Sequence, residues 1–159
     1  MKLVLLLTLP LYVLDQITKF LVLANIPTHV TIEVIPGFFN LVQVHNTGAA
    51  FGMMKDNNWF FIGLASVAIV AVAVMARRGC FLDAPSRIGA ALLASGIVGN
   101  LTDRLLHGYV VDFLQFRFGF LAPLFPGGYF PSFNVADAAI TLGATCLILD
   151  EVLRVRRGR

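Results

Sequence analysis

Along the 159 residues, long apolar runs alternate with shorter polar or aromatic stretches, and no window repeats another. A helix needs about 20 mainly apolar residues to cross a bilayer. Four stretches, 3–24, 59–75, 88–106 and 135–152, meet or approach that length. The pattern therefore predicts an all-α membrane protein of four transmembrane helices, forming a single domain over residues 1–159 with long connectors at 25–58 and 107–134. Lys2 followed by an apolar run resembles the start of a secretory signal. No small-residue cleavage site follows, and apolar character resumes after Asp15, so the segment reads as a retained anchor.

The connectors are not uniform. In the first, residues 31–35 and 38–45 are rich in β-branched and aromatic side chains and flank Pro36-Gly37, which predicts a small β-hairpin or sheet lying over the helix ends. In the second, residues 113–133 interleave aromatics with Gly119, Gly127, Gly128, Pro123, Pro126 and Pro131, which predicts a long irregular loop at the membrane interface.

Composition agrees with this pattern. Hydrophobic residues make up 58% and charged residues 13%, and the mean hydropathy is +0.83. Soluble domains are nearer 45–50% apolar and about 25% charged. The net charge of +3 does not point to nucleic acid, because the cations sit in short clusters beside apolar runs, where they set topology. If the helices alternate, Lys2, Arg77, Arg78, Arg87, Arg154, Arg156, Arg157 and Arg159 share one side and only Lys55 and Arg117 lie on the other. Both termini are then cytoplasmic and both long connectors extracytoplasmic. Cys80 lies in a basic connector and Cys146 within an apolar run, so no disulfide and no metal-ligand spacing is expected.

Ionisable groups inside spanning helices are costly and mark functional sites by default. Here three helices deliver such groups and a polar amide to one depth: Asp15 and Lys19 in the outer half of the first, Asn100, Asp103 and Arg104 near the outer end of the third, and Asp137 at the outer start of the fourth. Asp15 and Lys19 stand at i and i+4, suited to an ion pair. Asn100, Asp103, Arg104 and His107 form one stripe at i, i+3, i+4 and i+7. Both Asp15 with Lys19 and Asp103 with Arg104 can be read as neutralised pairs joining helices. Asp112 and Asp137 have no cation within four residues on either side. Two such carboxyls sharing a proton could activate a water and protonate a leaving group, as in an aspartic protease.

Other chemistries lack their motifs. His29, His45 and His107 have no metal-ligand spacing, and the chain holds no HExxH, GxSxG or P-loop. Ser66, Ser86, Ser95 and Ser132 lack a nucleophile context; Ser66 and Ser95, like Gly96 and Gly99, read as helix-packing residues. Carboxylate chemistry or transport remains. A proton relay should continue through the membrane, but the inner halves of the second to fourth helices are apolar, and the internal repeats usual in transporters are absent. A non-catalytic assembly factor would explain the hydrophobicity without the convergence of polar groups.

Five blocks, in order, resemble the bacterial lipoprotein signal peptidases, also called signal peptidase II: Asp15-Gln16-Ile17-Thr18-Lys19, Asn46-Thr47-Gly48-Ala49-Ala50-Phe51-Gly52, Gly99-Asn100-Leu101-Thr102-Asp103-Arg104, Val110-Val111-Asp112-Phe113 and Phe133-Asn134-Val135-Ala136-Asp137. The resemblance implies a membrane aspartic endopeptidase of the bacterial inner membrane, with its active site at the extracytoplasmic face. It would remove the signal peptide of prolipoproteins on the amino-terminal side of a diacylglyceryl-modified cysteine. It implies Asp112 and Asp137 as the catalytic dyad, with Asp15, Lys19, Asn46, Gly48, Asn100, Asp103, Arg104, Asn134 and Ala136 supporting the dyad or lining the pocket. The expected partners are the lipidated prolipoprotein and membrane lipid, with no nucleic acid, cofactor or metal, and the chain is expected to act as a monomer. One block departs from the family pattern: residues 94–99 read Ala-Ser-Gly-Ile-Val-Gly where a paired glycine and an alanine-leucine are expected, a difference that concerns helix packing.

Overall fold

The computed structural model describes residues 2–48, 57–156 and 158. The Ala49-Ala50-Phe51-Gly52 portion of the second motif, together with Lys55, Arg157 and Arg159, lies outside the described residues.

Four long helices form where the apolar runs predict them: α1 (Lys2–Asn25), α2 (Asn58–Arg77), α3 (Ala84–His107) and α4 (Val135–Arg156). Among the described residues, Leu6–Asn25 and Asn58–Arg77 are long and apolar enough to cross a membrane, at mean hydropathies of 1.5 and 2.4. In α3 the polar stripe lowers the apolar average; α4 carries Asp137 near one end and Asp150, Glu151 and Arg154 near the other. Large apolar side chains face outward, among them Leu9, Leu64, Val67, Ile148 and Leu149. Water would oppose so extensive an exposed apolar surface.

Helix α3 is the hub against which the other three pack. Its buried face is built from small residues: Gly89, Ala90, Ala91, Ala94, Ser95, Gly96 and Gly99. Small side chains let backbones approach, and van der Waals packing then holds helices that lipid cannot squeeze together by the hydrophobic effect. The α3–α4 contact shows how close this is. A Cβ on Gly143 would lie 2.6 Å from the Leu93 nitrogen and 2.7 Å from the Gly89 oxygen. The glycines expected at helix contacts are therefore found there, and Ser95 is buried among them. Ser66 is not: it is exposed and donates to the Ile62 carbonyl of its own helix at 2.7 Å.

Over the helix ends lies a three-stranded antiparallel sheet, β1 (Ile32–Ile35), β2 (Phe39–Asn46) and β3 (Val110–Phe116), in the order β1-β2-β3. The hairpin around Pro36-Gly37 forms as expected. The third strand differs from the expected irregular loop: Leu114, Gln115 and Phe116 pair with Leu41, Asn40 and Phe39 of β2, and Asp112, just before them, stands opposite Val44 across a shift of register between Leu41 and Val44. Helix α3 ends at Gly108, whose φ of 82° is open to glycine and whose N–H bonds the Arg104 carbonyl at 3.2 Å. That turn sends the chain directly into β3. Beyond single 3-10 turns at Gly119–Leu121 and Pro126–Gly128, the segment returns to the sheet, where the Phe113 and Leu114 N–H groups bond the Phe133 carbonyl at 3.0 and 2.8 Å. Asn134, which follows, is thereby set beside Asp112.

Candidate active site

Four elements, β2, α3, β3 and α4, converge on a cavity of about 960 Å³ lined by, among others, Asn46, Gly48, Asn100, Arg104, Asp112 and Asp137. Behind its wall residue Asn100 lies a buried ionic cluster between α1 and α3. The Lys19 ammonium lies 2.9 Å from Asp15 Oδ2 and 3.0 Å from Asp103 Oδ2, and donates to Asn100 Oδ1 at 3.0 Å. Asp15, Lys19 and Asp103 are each at most 3% exposed. The expected Asp15–Lys19 pair is present. The alternative pairing of Asp103 with Arg104 is not: Asp103 turns to Lys19, and its Oδ2 also accepts from the Val111 N–H at 3.0 Å. Adjacent residues on a helix diverge by about 100°, so Asp103 and Arg104 meet different neighbours. Gln16 completes the cluster, donating to Asp15 Oδ2 at 3.1 Å, Gly99 O at 3.3 Å and Asp103 Oδ1 at 3.2 Å.

The cluster also fixes backbone. Asp15 Oδ1 accepts the Ala136 N–H at 2.9 Å, one of the first-turn donors that a helix leaves unpaired. The methyl of Ala136 fits against Gly99, where a Cβ would come within 3.2 Å of it. Asp103 holds Val111, the residue preceding Asp112. The buried charges thus fix the strand and the helix start that carry the two remaining aspartates.

Asp112 and Asp137 are bridged by Asn134, which is fully buried. Its Nδ2 donates to Asp112 Oδ1 at 2.8 Å, while its own N–H reaches Asp137 Oδ2 at 3.2 Å and its Oδ1 accepts the Asp137 N–H at 2.8 Å. The last two bonds form a reciprocal cap at the start of α4, with Asn134 as the cap and Asp137 three residues on. The outer oxygen of each carboxyl meets another amide: Asn46 Nδ2 lies 2.9 Å from Asp112 Oδ2, and Asn100 Nδ2 lies 2.7 Å from Asp137 Oδ1. Asn100 is oriented by chemistry. Its oxygen faces the Lys19 ammonium and the Asn134 amide, so its NH₂ must face Asp137. Asn46 is held in turn by the Gly48 N–H, which donates to its Oδ1 at 3.0 Å.

Burial pushes the Asp112 carboxyl up to about 7, with the neighbouring Asp137 charge adding to the rise against the opposing Asn46 and Asn134 donors and the Lys19 charge. A carboxyl of this kind keeps a proton near neutral pH, and two carboxyls bridged by one amide at a cavity wall can hold a single proton between them.

Arg104 occupies a different wall. Its Nη2 donates to the Gly48 carbonyl at 2.7 Å, its Nη1 reaches Asn58 Oδ1 at 3.3 Å, and its guanidinium carbon lies 4.4 Å from the centre of the Phe61 ring. Asn58 and Phe61 were not singled out by sequence. The available signal was an amide opening the otherwise apolar α2. His107, placed on the stripe with Asn100, is exposed and stacks on Tyr109 at 5.7 Å between ring centres, outside the cavity. His45 stands at the rim, its ring 3.9 Å from Tyr109; burial, then His107, lowers its pKa.

Comparison with known proteins follows the same lines. The family model for signal peptidase (SPase) II matches residues 7–153. The lipoprotein signal peptidase of Symbiobacterium thermophilum is 43% identical over 146 residues, which cover 92% of this chain and 91% of that one. That of Neisseria gonorrhoeae is 40% identical over 151 residues, 92% of this chain and 87% of the relative. A bacterial membrane enzyme solved by the in meso method at 2.3 Å matches with a TM-score of 0.86 at 27% identity, over 98% of this chain and 91% of its own. A second, solved at 1.9 Å, matches with a TM-score of 0.78 at 28% identity, over 92% and 90%.

Proposed function

Because the chain belongs to the signal peptidase II family, we propose that it is an aspartic endopeptidase that removes the signal peptide from diacylglyceryl-modified prolipoproteins, cutting on the amino-terminal side of the lipidated cysteine with Asp112 and Asp137. The observation that carries this reading is the bridge through Asn134, which holds both carboxyls at one cavity wall.

The pair holds a water and one proton. As the water oxygen bonds to the scissile carbonyl carbon, its proton passes to the ionised carboxylate, while the protonated partner polarises the carbonyl oxygen. Collapse of the tetrahedral intermediate breaks the C–N bond. The proton taken from water goes to the departing nitrogen, leaving a carboxylate on the signal peptide and an amine on the lipidated cysteine. Asn46, Asn100 and Asn134 keep the carboxyls in register, the positioning that catalysis by proximity demands.

All four helices cross the membrane in this reading, as one domain over residues 1–159, with both termini cytoplasmic and the sheet and cavity on the extracytoplasmic side. Wall residues Ala138, Ile140 and Leu142 give the cavity an apolar flank along α4. A diacylglyceryl group can remain in lipid beside that flank while the scissile bond reaches the aspartates. The protein works as a monomer, and lipid and substrate are its partners.

Purified protein in detergent is expected to cleave a lipidated prolipoprotein, with mass spectrometry placing the cut immediately before the modified cysteine. The same precursor without the diacylglyceryl group is expected to remain intact. A cut elsewhere, or equal cleavage of both substrates, would refute the assignment.

A further inference from the structure

Arg104 is 8% exposed and lines the cavity, yet its guanidinium is held by uncharged groups: the Gly48 carbonyl, the Asn58 amide oxygen and the face of Phe61. Asn58 holds it twice, because its Nδ2 also donates to the Arg104 carbonyl at 3.1 Å. Among the described residues no ion pair joins Arg104 to a carboxylate; Asp103, next to it in sequence, pairs with Lys19. Among the described residues, the charges of Asp112, Asp137 and Asp103 act on Arg104 from nearby.

A buried guanidinium must have its N–H groups satisfied. A carboxylate would do so while cancelling the charge; carbonyl oxygens and an aromatic face do so and leave the charge in place. We propose that Asn58 and Phe61 are positioning residues that hold Arg104 by neutral contacts, so that its positive charge serves the scissile carbonyl oxygen. When the water oxygen bonds to the carbonyl carbon, the π pair moves onto that oxygen. A preorganised cation in a water-poor site stabilises such charge more than a mobile one can. The inference rests on the reading of Asp112 and Asp137 as the dyad, and it brings α2, which supplies no carboxyl to the site, into the reaction.

The decisive variant is Asn58→Asp. It places a carboxylate on Arg104 and an acidic group in the first turn of α2, where helix termini favour it, so folding is retained while the cation is neutralised. Expected is a fall in kcat of about tenfold or more, with KM within about twofold of wild type, as for loss of a contact made only in the transition state. Tm in detergent stays at or above that of Asn58→Ala. Phe61→Leu also lowers kcat, and Phe61→Tyr, which keeps an aromatic face, recovers most of the loss. Asp112→Asn is measured alongside. If it is inactive while Asn58→Asp keeps wild-type kcat, or if loss of kcat simply follows loss of Tm across the set, this inference falls alone. If Asp112→Asn cleaves fully, the dyad falls and the inference with it.

Discussion

A carboxyl pushed up to about 7 by burial and by its neighbour's charge fixes how Asp112 must respond to pH. Acting as the proposed dyad, Asp112 and Asp137 need one proton between them. Near and below pH 7 the pair holds it; as pH rises further the proton is lost, and kcat should fall toward about tenfold per pH unit. Donation from Asn46 opposes the rise at Asp112, so Asn46→Ala should carry that alkaline limb to higher pH while lowering the rate. Rate profiles of both proteins from pH 5 to pH 9 test this, and a flat wild-type profile would contradict a proton held by Asp112. The absence of a cation within four residues singles out Asp112 and Asp137 in the sequence, and the structure brings both to one cavity, bridged by Asn134. The sequence was not informative about Asp103 against Arg104. Which of two adjacent residues meets Lys19 is settled by how α1 lies on α3, and that choice left Arg104 to Gly48, Asn58 and Phe61.

Helix existence followed from runs of apolar residues long enough to cross a bilayer, and the four observed helices begin and end within a few residues of those runs. Strand β3 was harder to foresee. Its pairing partner β2 lies far away in sequence, and its aromatic continuation into the loop masks the alternation that marks a strand. What the helices do with their small residues gives a sharp contrast at this scale. A Cβ on Gly99 would stand 2.5 Å from Asp15 Oδ2, a carboxylate fixed by Lys19 and Gln16, whereas a Cβ on Gly63 would meet nothing within 4 Å. Gly99→Ala should therefore cost about 1–3 kcal/mol through overpacking and weaken cleavage by moving the α4 start. Gly63→Ala should leave Tm unchanged or raise it, since alanine is the better helix former. Thermal unfolding of both in detergent decides, and equal stability would mean that the close α1–α3 approach does not hold.

On the scale of the whole molecule, orientation ties the site to its substrate. The cavity and sheet lie at the ends of α3 and α4 remote from Cys80, which is exposed in the connector between α2 and α3. With that connector cytoplasmic, a membrane-impermeant maleimide should label Cys80 in inverted vesicles and spare it in intact spheroplasts, using a Cys146→Ala background to leave one thiol. Labelling from outside would reverse the topology and put the aspartates on the side from which exported precursors depart.

In the proposed reaction Asp112 and Asp137 together break the peptide bond. The most direct test is cleavage of a diacylglyceryl-modified prolipoprotein by wild type, Asp112→Asn and Asp137→Asn, compared at matched Tm. Both neutral isosteres should lose cleavage while still binding the precursor, since each removes a proton-transferring group and leaves the cavity walls in place. Full activity in either variant would show that the two carboxyls do not act as a catalytic pair.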